Sequence, residues 1–349
     1  SPADYSKHDV AEEGGSTIQT AIDSGDENHA MQIMAAGAAL LTSRLYGEGR
    51  FDGMVVLGGT MGTDLALDVC SALPLGVPKY IVSTVSFSPL IPAERLAADT
   101  QMILWAGGLY GLNSVCKASL SQAAGAVLGA ARAVVPTDRS KPLIGMTSLG
   151  KSALKYMVPL KPALEDRGFE VAVFHATGMG GRAFESLASQ GAFACVFDFC
   201  TQELGNQING SNITAGADRL TNAGRKGIPQ LVAPGCYDLV DIVGWQGLPD
   251  KWKDHPHHAH NRLITSIVLN NEERAEVARA HSQQLATSKG PVAFMLAKHG
   301  FGEWDRKGGD LHDQEGLDGF LRELQTTLPA NVETHTVDGH INDPIFAET

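Results

Sequence analysis

The chain has 349 residues, 43% of them hydrophobic, with 39 glycines and 16 prolines, a composition and length that suit two α/β domains with separate cores. Its formal charge of −12, offset by no lysine–arginine cluster, excludes broad nucleic-acid binding, and no apolar run is long enough to span a bilayer. Five scattered cysteines (70, 116, 195, 200 and 236) in mostly apolar segments, and no signal peptide, suit reduced thiols in a cytoplasmic protein.

The polar opening from Ser1 to Asp26, with Gly14-Gly15-Ser16, reads as loop with a short helix. A helix rich in small residues is expected from Glu27 to Tyr46. Strand 53–57, helix 64–72, strands 79–83 and 101–104, and a helix from Leu112 to Arg132 follow. Pro136-Thr-Asp-Arg-Ser-Lys-Pro142 interrupts the apolar pattern and sets the expected boundary between domains 1–140 and 141–349. Beyond it the alternation resumes: strand 143–147, helix 152–166, strand 170–174, helix 182–190, strand 194–198, helix 217–226 and strand 229–233. A Gly/Pro/His-rich stretch from Pro234 to Asn261 precedes helix 271–287, strand 291–296, helix 314–328 and strand 331–337. Strands alternating with helices predict two Rossmann-like subdomains with mainly parallel sheets. Ligands of such sheets bind beyond the strands' carboxyl ends, here expected in a cleft between the subdomains.

One local pattern occurs twice. An apolar run, read as a strand buried on both faces, enters a glycine-rich turn and then a helix. The first copy is Asp52-Gly-Met-Val-Val-Leu-Gly-Gly-Thr-Met-Gly-Thr63; the second is Glu170-Val-Ala-Val-Phe-His-Ala-Thr-Gly-Met-Gly-Gly181. Glycines leave backbone N–H groups uncovered, and the helix dipole favours an anion there. In the first turn, Gly58, Gly59, Thr60, Gly62 and Thr63 are candidate phosphate binders. Ser83 and Thr84, with Ser86, follow the neighbouring strand and would line the same pocket, or else cap their own backbone. The bland reading of 58–63 is a tight connection in which Thr63 or Asp64 caps the helix.

In the second turn, Thr177, Gly178, Gly180 and Gly181 offer hydroxyl and amide donors. Arg182 would grip a carboxylate or phosphate through two N–H groups, with Glu185 one turn on, and His175 would act as acid or base. The alternative makes Arg182 and Glu185 an i,i+3 surface pair and satisfies His175 with a backbone carbonyl. His255, His257, His258 and His260 invite a metal reading, but their spacing lacks a convincing carboxylate or cysteine, and exposed loop histidines are the expectation. Gly145-Met-Thr-Ser-Leu-Gly-Lys-Ser152 satisfies the phosphate-loop pattern literally, and Asp198 would then hold magnesium. Pro159 and Pro162 in the following helix argue that the match is accidental.

Four segments together resemble a known family: Gly58-Gly-Thr-Met-Gly-Thr63; Leu75-Gly-Val-Pro-Lys-Tyr-Ile-Val-Ser-Thr-Val85; Phe174-His-Ala-Thr-Gly-Met-Gly-Gly-Arg-Ala-Phe-Glu185; and Asp338-Gly-His-Ile-Asn-Asp-Pro344. This is the family of the ATP-binding domain of a plant tobamovirus-resistance protein and its bacterial relatives. The resemblance covers essentially the whole chain. It implies two Rossmann-like subdomains, nucleotide binding by the first, and frequent dimerisation. It also implies a further strand, turn and helix ahead of this sequence's first residue. Met61 stands where relatives more often carry a small residue, narrowing the room for a phosphate.

The resemblance adds His260 and Asn261 to the candidate ligand binders, and favours a site role for His340, Asn342 and Asp343. The combined expectation is a homodimer that binds a small anionic ligand, ATP or a related nucleotide, with magnesium as a possible companion and no strong metal motif. His175, His340 and Asp343 would face a reacting centre, in an enzyme acting on a small carboxylate. The alternative is a nucleotide-responsive regulatory or inhibitory module that binds a protein partner without chemistry. No nucleophile-elbow motif selects a reaction.

Overall fold

The computed structural model describes residues 3–349 apart from 106, 108–110, 137, 139 and 310. Ser1 and Pro2 of the expected opening loop, and Thr137 and Arg139 of the expected boundary, lie outside the described residues. The chain divides into two compact units, Ser1–Thr137 and Asp138–Thr349.

Unit 1 opens with helices α1 (Lys7–Glu13), α2 (Ile18–Asp23) and α3 (Glu27–Gly47), where a single short helix was expected before the long one. Ser6 and Asp9 form a reciprocal capping box on α1, and the Asp26 carboxylate accepts from Asn28 and His29 N–H at the start of α3. Strand β1 (Met54–Gly58), helix α4 (Thr60–Ala72), strands β2 (Lys79–Ser83) and β3 (Thr100–Leu104) and helix α5 (Ser114–Ala133) complete it. The three strands are parallel, in the order β1-β2-β3. Ala66, Leu67, Cys70, Ile81 and Ala97 form its small core.

Unit 2 contains β4 (Leu143–Ser148), α6 (Met157–Glu165), β5 (Glu170–His175), α7 (Met179–Ser189), β6 (Cys195–Cys200), α8 (Gln202–Ile208), α9 (Asn222–Arg225) and β7 (Gln230–Gly235). Next come β8 (Leu239–Val243), β9 (His257–Ala259), β10 (Ile264–Val268), α10 (Asn271–Leu285), β11 (Val292–Ala297), α11 (Gln314–Thr327), β12 (Val332–Val337) and α12 (Pro344–Glu348). Six strands make one parallel sheet in the order β12-β11-β7-β6-β4-β5. Its core is deep and aromatic: Tyr237 stacks on Phe320 with ring centroids 3.7 Å apart, and both rings are buried. Burying each such ring contributes roughly 2–3 kcal/mol.

Several expectations change. The strands preceding both glycine-rich turns were expected to be buried on both faces. Both are instead sheet-edge strands with alternate residues exposed, including Val55, Leu57 and Val173. The helix expected at 152–166 begins only at Met157. Pro159 falls in its first turn, where no intrahelical N–H is needed, and Pro162 sits inside it. The helix expected at 217–226 shrinks to α9, because Leu220 adopts φ +71°, a left-handed conformation that a right-handed helix cannot contain. The histidine-rich stretch, read as irregular, supplies β8 and β9, which pair with β10 in a small antiparallel sheet.

Candidate functional site

The order of the six-stranded sheet reverses at β4, which has β5 on one side and β6 on the other. Diverging connections leave a crevice beyond the carboxyl ends of such strands. A cavity of about 820 Å³ opens there. The loop after β4 lines it with Leu149, Gly150, Lys151 and Ser152, the turn after β5 with His175 and Thr177, and the start of α8 with Gln202. The small antiparallel sheet forms the facing wall. Alternate residues Leu239, Asp241 and Val243 of β8, and Ile264 and Ser266 of β10, share one face by the two-residue period of a strand. The β9–β10 turn adds His260, Asn261 and Leu263. Trp245 and Trp304 complete an aromatic and aliphatic lining of the kind that holds small molecules.

Asp241 and Ser266 are direct cross-strand partners, and the Ser266 hydroxyl donates to Asp241 Oδ1 at 2.6 Å. Burial raises the Asp241 pKa above the ordinary carboxylate value, opposed by hydrogen bonds from Ser266 and Gln202 and by the nearby His260. Gly150 N–H donates to His175 Nδ1 at 3.4 Å, so a neutral His175 carries its proton on Nε2. The His260 ring lies 6.3 Å from Trp304, and Asn261 Oδ1 accepts from Leu263 N–H and Ile264 N–H to shape the turn. His258 packs edge-on to Trp304, while His255 pairs with Glu273 at 3.0 Å.

The phosphate-loop look-alike does not build a phosphate loop. Ser152 and Ala153 N–H bond back to Leu149 O, and Leu154 and Lys155 N–H bond to Asn342 Oδ1. Those amides therefore do not cradle an anion, and Asp198 is occupied by an arginine. Lys151 nevertheless lines the cavity.

The carboxy-terminal motif is a clamp on that same loop. Asn342 Nδ2 donates to Ser152 O and Glu303, while the buried His340 donates from Nε2 to Gly302 O at 2.9 Å, with Asp305 Oδ1 at 3.0 Å. Asp343 accepts from His340 N–H and from Arg306, and against the opposing effect of burial these two hold its pKa below the ordinary carboxylate value. None of His340, Asn342 and Asp343 lines the cavity. Asn342 holds the 149–155 loop directly, while His340 Nδ1 accepts from Asn342 N–H and Asp343 pairs with Arg306 behind it.

The second glycine-rich turn already holds an anion, and it is internal. Glu203 Oε1 accepts from Gly178 N–H at 2.6 Å and Gly181 N–H at 3.0 Å. Its other oxygen accepts from Arg219 Nε at 2.9 Å. A Cβ on Gly181 would lie 1.7 Å from Glu203 Oε2, and one on Gly180 would lie 1.8 Å from His175 O. These glycines therefore serve close packing. Arg219, fully buried, also grips Asp198 with two nitrogens and reaches Glu185 at 3.2 Å. Burial raises Glu203 and pushes Glu185 up to about 7 despite the guanidinium. Arg182, expected to grip the ligand, is buried and pairs with Asp218 at 2.6 Å. Neither the ligand-gripping role nor the i,i+3 pair expected for Arg182 and Glu185 describes them. Sequence reasoning missed Arg219 and Glu203 entirely; the one signal was the charged residues inside otherwise buried segments.

The first turn differs. Helix α4 starts at Thr60, earlier than expected, with Gly59 as its cap and no side-chain capping bond. Thr63 N–H makes the first helical bond, to Gly59 O, so the N–H groups of Thr60, Met61 and Gly62 lie ahead of the helical ladder. Thr63 and Ser83 hydroxyls share a 2.6 Å bond, Ser83 Oγ accepts from Val85 N–H, and Thr84 N–H donates to Gly58 O. Ser83 and Thr63 are thus buried in the turn itself. One hollow of about 330 Å³ borders Thr60, Met61 and Thr63. Another, of about 300 Å³, borders Gly58, Gly59 and Thr84.

Fold and cavity define an α/β protein with two units built on parallel sheets and, in the second, a cavity at the switch point of its sheet. Residues 1–136 match the N-terminal domain and residues 141–349 the C-terminal domain of the Uncharacterised protein family UPF0261. The chain belongs to that family. A UPF0261 protein of Brucella melitensis is 56% identical over 98% of this chain and 82% of its own length. One from Clostridium tetani is 34% identical over 98% of this chain and 84% of its own. The ToMV resistance protein Tm-1 of Solanum lycopersicum is 28% identical over 91% of this chain, which corresponds to 43% of that protein.

Proposed function

We propose that this protein binds a small organic anion, a carboxylate- or phosphate-bearing metabolite, in the switch-point cavity of unit 2. One observation carries the reading: Lys151, His175 and His260 converge on a single cavity of about 820 Å³ whose remaining wall is largely aliphatic and aromatic. Cationic and donor groups fix the charged end of a ligand, and the apolar wall takes its body. The buried Asp241 is the group suited to move a proton within the cavity, so an enzyme acting on that metabolite is the form we favour.

A nucleotide at unit 1 is the second reading, and the uncapped start of α4 favours it. The turn Gly58–Thr63 offers amides and the positive end of a thirteen-residue helix to a phosphate, with magnesium as its natural companion. The name of the tomato relative, a resistance protein, keeps open a module that acts by binding a protein partner.

A thermal-shift screen of the full chain against organic acids and nucleotides, with and without magnesium, tests both readings. Small acids should raise the melting temperature, and Lys151→Ala or His175→Ala should remove most of that rise. A shift untouched by either substitution would refute the cavity reading. Nucleotide stabilisation should survive Lys151→Ala and vanish on Thr60→Glu, which sets a carboxylate where the phosphate would lie.

A further inference from the structure

Two of the chain's four tryptophans, Trp245 and Trp304, line the cavity of unit 2. Trp245 is 69% exposed and its neighbour in the lining, Leu263, is 67% exposed, although side chains of both kinds are ordinarily well covered. Gly244 N–H donates to Leu263 O at 2.8 Å, so the backbone sets Trp245 and Leu263 at the same end of the small antiparallel sheet. Trp304 is half-buried. His258 packs against it edge-on with ring centroids 5.0 Å apart, and the His260 ring lies 6.3 Å away. An open indole and leucine that share a cavity with a second indole are apolar surface left for a ligand to cover. An indole face rewards a flat aromatic ring beyond the area it buries, whereas an alkyl body gains the area alone. Because His260 and Trp304 are neighbours, a ligand whose acid group meets His260 carries its next few carbons to the indole.

We propose that the ligand is an aryl carboxylate, an acid group a few bonds from a flat aromatic ring. Its acid group meets Lys151, His175 and His260, and its ring lies against Trp304 and the open surface of Trp245 and Leu263. The inference rests on the cavity reading above and narrows it to a substrate class. A three-carbon acid would satisfy the basic groups and leave most of a cavity of about 820 Å³ unfilled. A nucleotide is also flat and anionic, but the N–H groups of 152–155 are taken by Leu149 O and Asn342 Oδ1, so no amide cradle awaits its phosphates. Asp241 in the same lining further opposes a polyanion.

The test is a calorimetric titration of the full chain with matched acids that differ only in whether the ring is aromatic. Benzoate is paired with cyclohexanecarboxylate, phenylacetate with cyclohexylacetate, and 2-naphthoate with its fully saturated counterpart. The aromatic acid of each pair should bind about two- to tenfold more tightly than its saturated partner. Trp304→Leu, which keeps an apolar side chain and removes the aromatic face, should erase that ratio. Trp245→Leu, at an exposed position that tolerates the change, should lower it too and serves should the Trp304 variant not fold. Lys151→Ala should weaken both members of a pair alike. Equal affinities within every pair, tighter binding of the saturated acids, or a ratio indifferent to both tryptophan substitutions would overturn the aryl assignment and leave the cavity reading intact. So would AMP binding the Thr60→Glu chain, whose unit 1 turn is blocked, more tightly than any aryl acid does. No binding by any acid, or binding indifferent to Lys151→Ala, would overturn both.

Discussion

The two glycine-rich turns look alike as sequence and do opposite things. At 178–181 the N–H groups of Gly178 and Gly181 close on Glu203, an anion supplied by the chain itself and locked by the buried Arg219. At 58–63 the helix starts bare, without a capping side chain. A strand, glycines and a helix therefore specify a backbone geometry that favours an anion, not where the anion comes from. In unit 2 the anion comes from the helix after the next strand, and the ligand-sized space lies beside the turn, reached by His175 and Thr177.

The sharpest way to break the comparison is to remove the cation behind the internal anion. Arg219→Met strands Asp198, Glu185 and Glu203 together in the core. Loss of one partner of a buried pair costs about 3–5 kcal/mol, a large part of the 5–15 kcal/mol by which domains are stable. Urea denaturation of the full chain should show unit 2 unfolding early or already unfolded. Adding Asp198→Asn and Glu203→Gln to that variant should restore part of the loss, because the stranded charges are then gone.

The glycines supply the next contrast. A methyl group on Gly180 meets the His175 carbonyl, and one on Gly181 meets a Glu203 carboxylate that cannot retreat. Either alanine variant should cost about 1–3 kcal/mol or more. At Gly59 the nearest atom to an added methyl is Thr84 Oγ1 at 3.7 Å, ordinary contact, so Gly59→Ala should be nearly neutral. Gly58 is tight in the first turn too, since a methyl there would meet Gly62 Cα at 2.6 Å, so the contrast lies at Gly59, and a loss there equal to that at Gly180 would remove it.

The internal cluster should also leave a mark on pH dependence. Burial raises Glu185 from 4.5 to about 7, against the pull of Arg219 and with Asp198 and Asp218 adding to the rise. A carboxyl whose folded pKa exceeds its unfolded one binds more protons when folded. Its contribution is fully present below pH 4.5 and is lost as pH rises through 7. His281, lowered to about 4 by burial, has the reverse effect: its contribution is present above 6.5 and lost as pH falls. Glu185→Gln should therefore steepen the net gain in stability between pH 5 and 7, on the order of 1–3 kcal/mol relative to the parent. An unchanged slope would place Glu185 as already ionised in the folded state.

Much of this architecture was legible. Short segments with apolar centres such as 79–83 and 143–147 become parallel strands, and the glycines and prolines between elements mark real turns. The candidate site was legible only in part. His175, Thr177, His260 and Asn261 do line the cavity, but Asp241, Gln202 and Trp304 gave no local signal. Asp241 and Ser266 are 25 positions apart and meet only through an antiparallel pairing hidden among histidines, prolines and glycines. Arg219 was opaque for a different reason. A charged residue reads as solvated until the chain brings carboxylates from α7, β6 and α8 around it, and local periodicity carries no record of that.

The smallest expected effect concerns the bare helix start. Thr60→Glu places a carboxylate at the first position of α4, where the helix dipole favours negative charge by roughly 0.3–1 kcal/mol. With no ligand, the variant should be as stable as the parent or slightly more so. The corresponding turn in unit 2 already has its carboxylate, so the substitution makes the first turn imitate the second. If the added charge instead destabilises unit 1, the amides of Thr60, Met61 and Gly62 are already compensated, and the difference between the turns disappears. Chemical denaturation at low and at moderate salt separates the two outcomes, because a dipole interaction at an exposed helix start weakens as salt screens it.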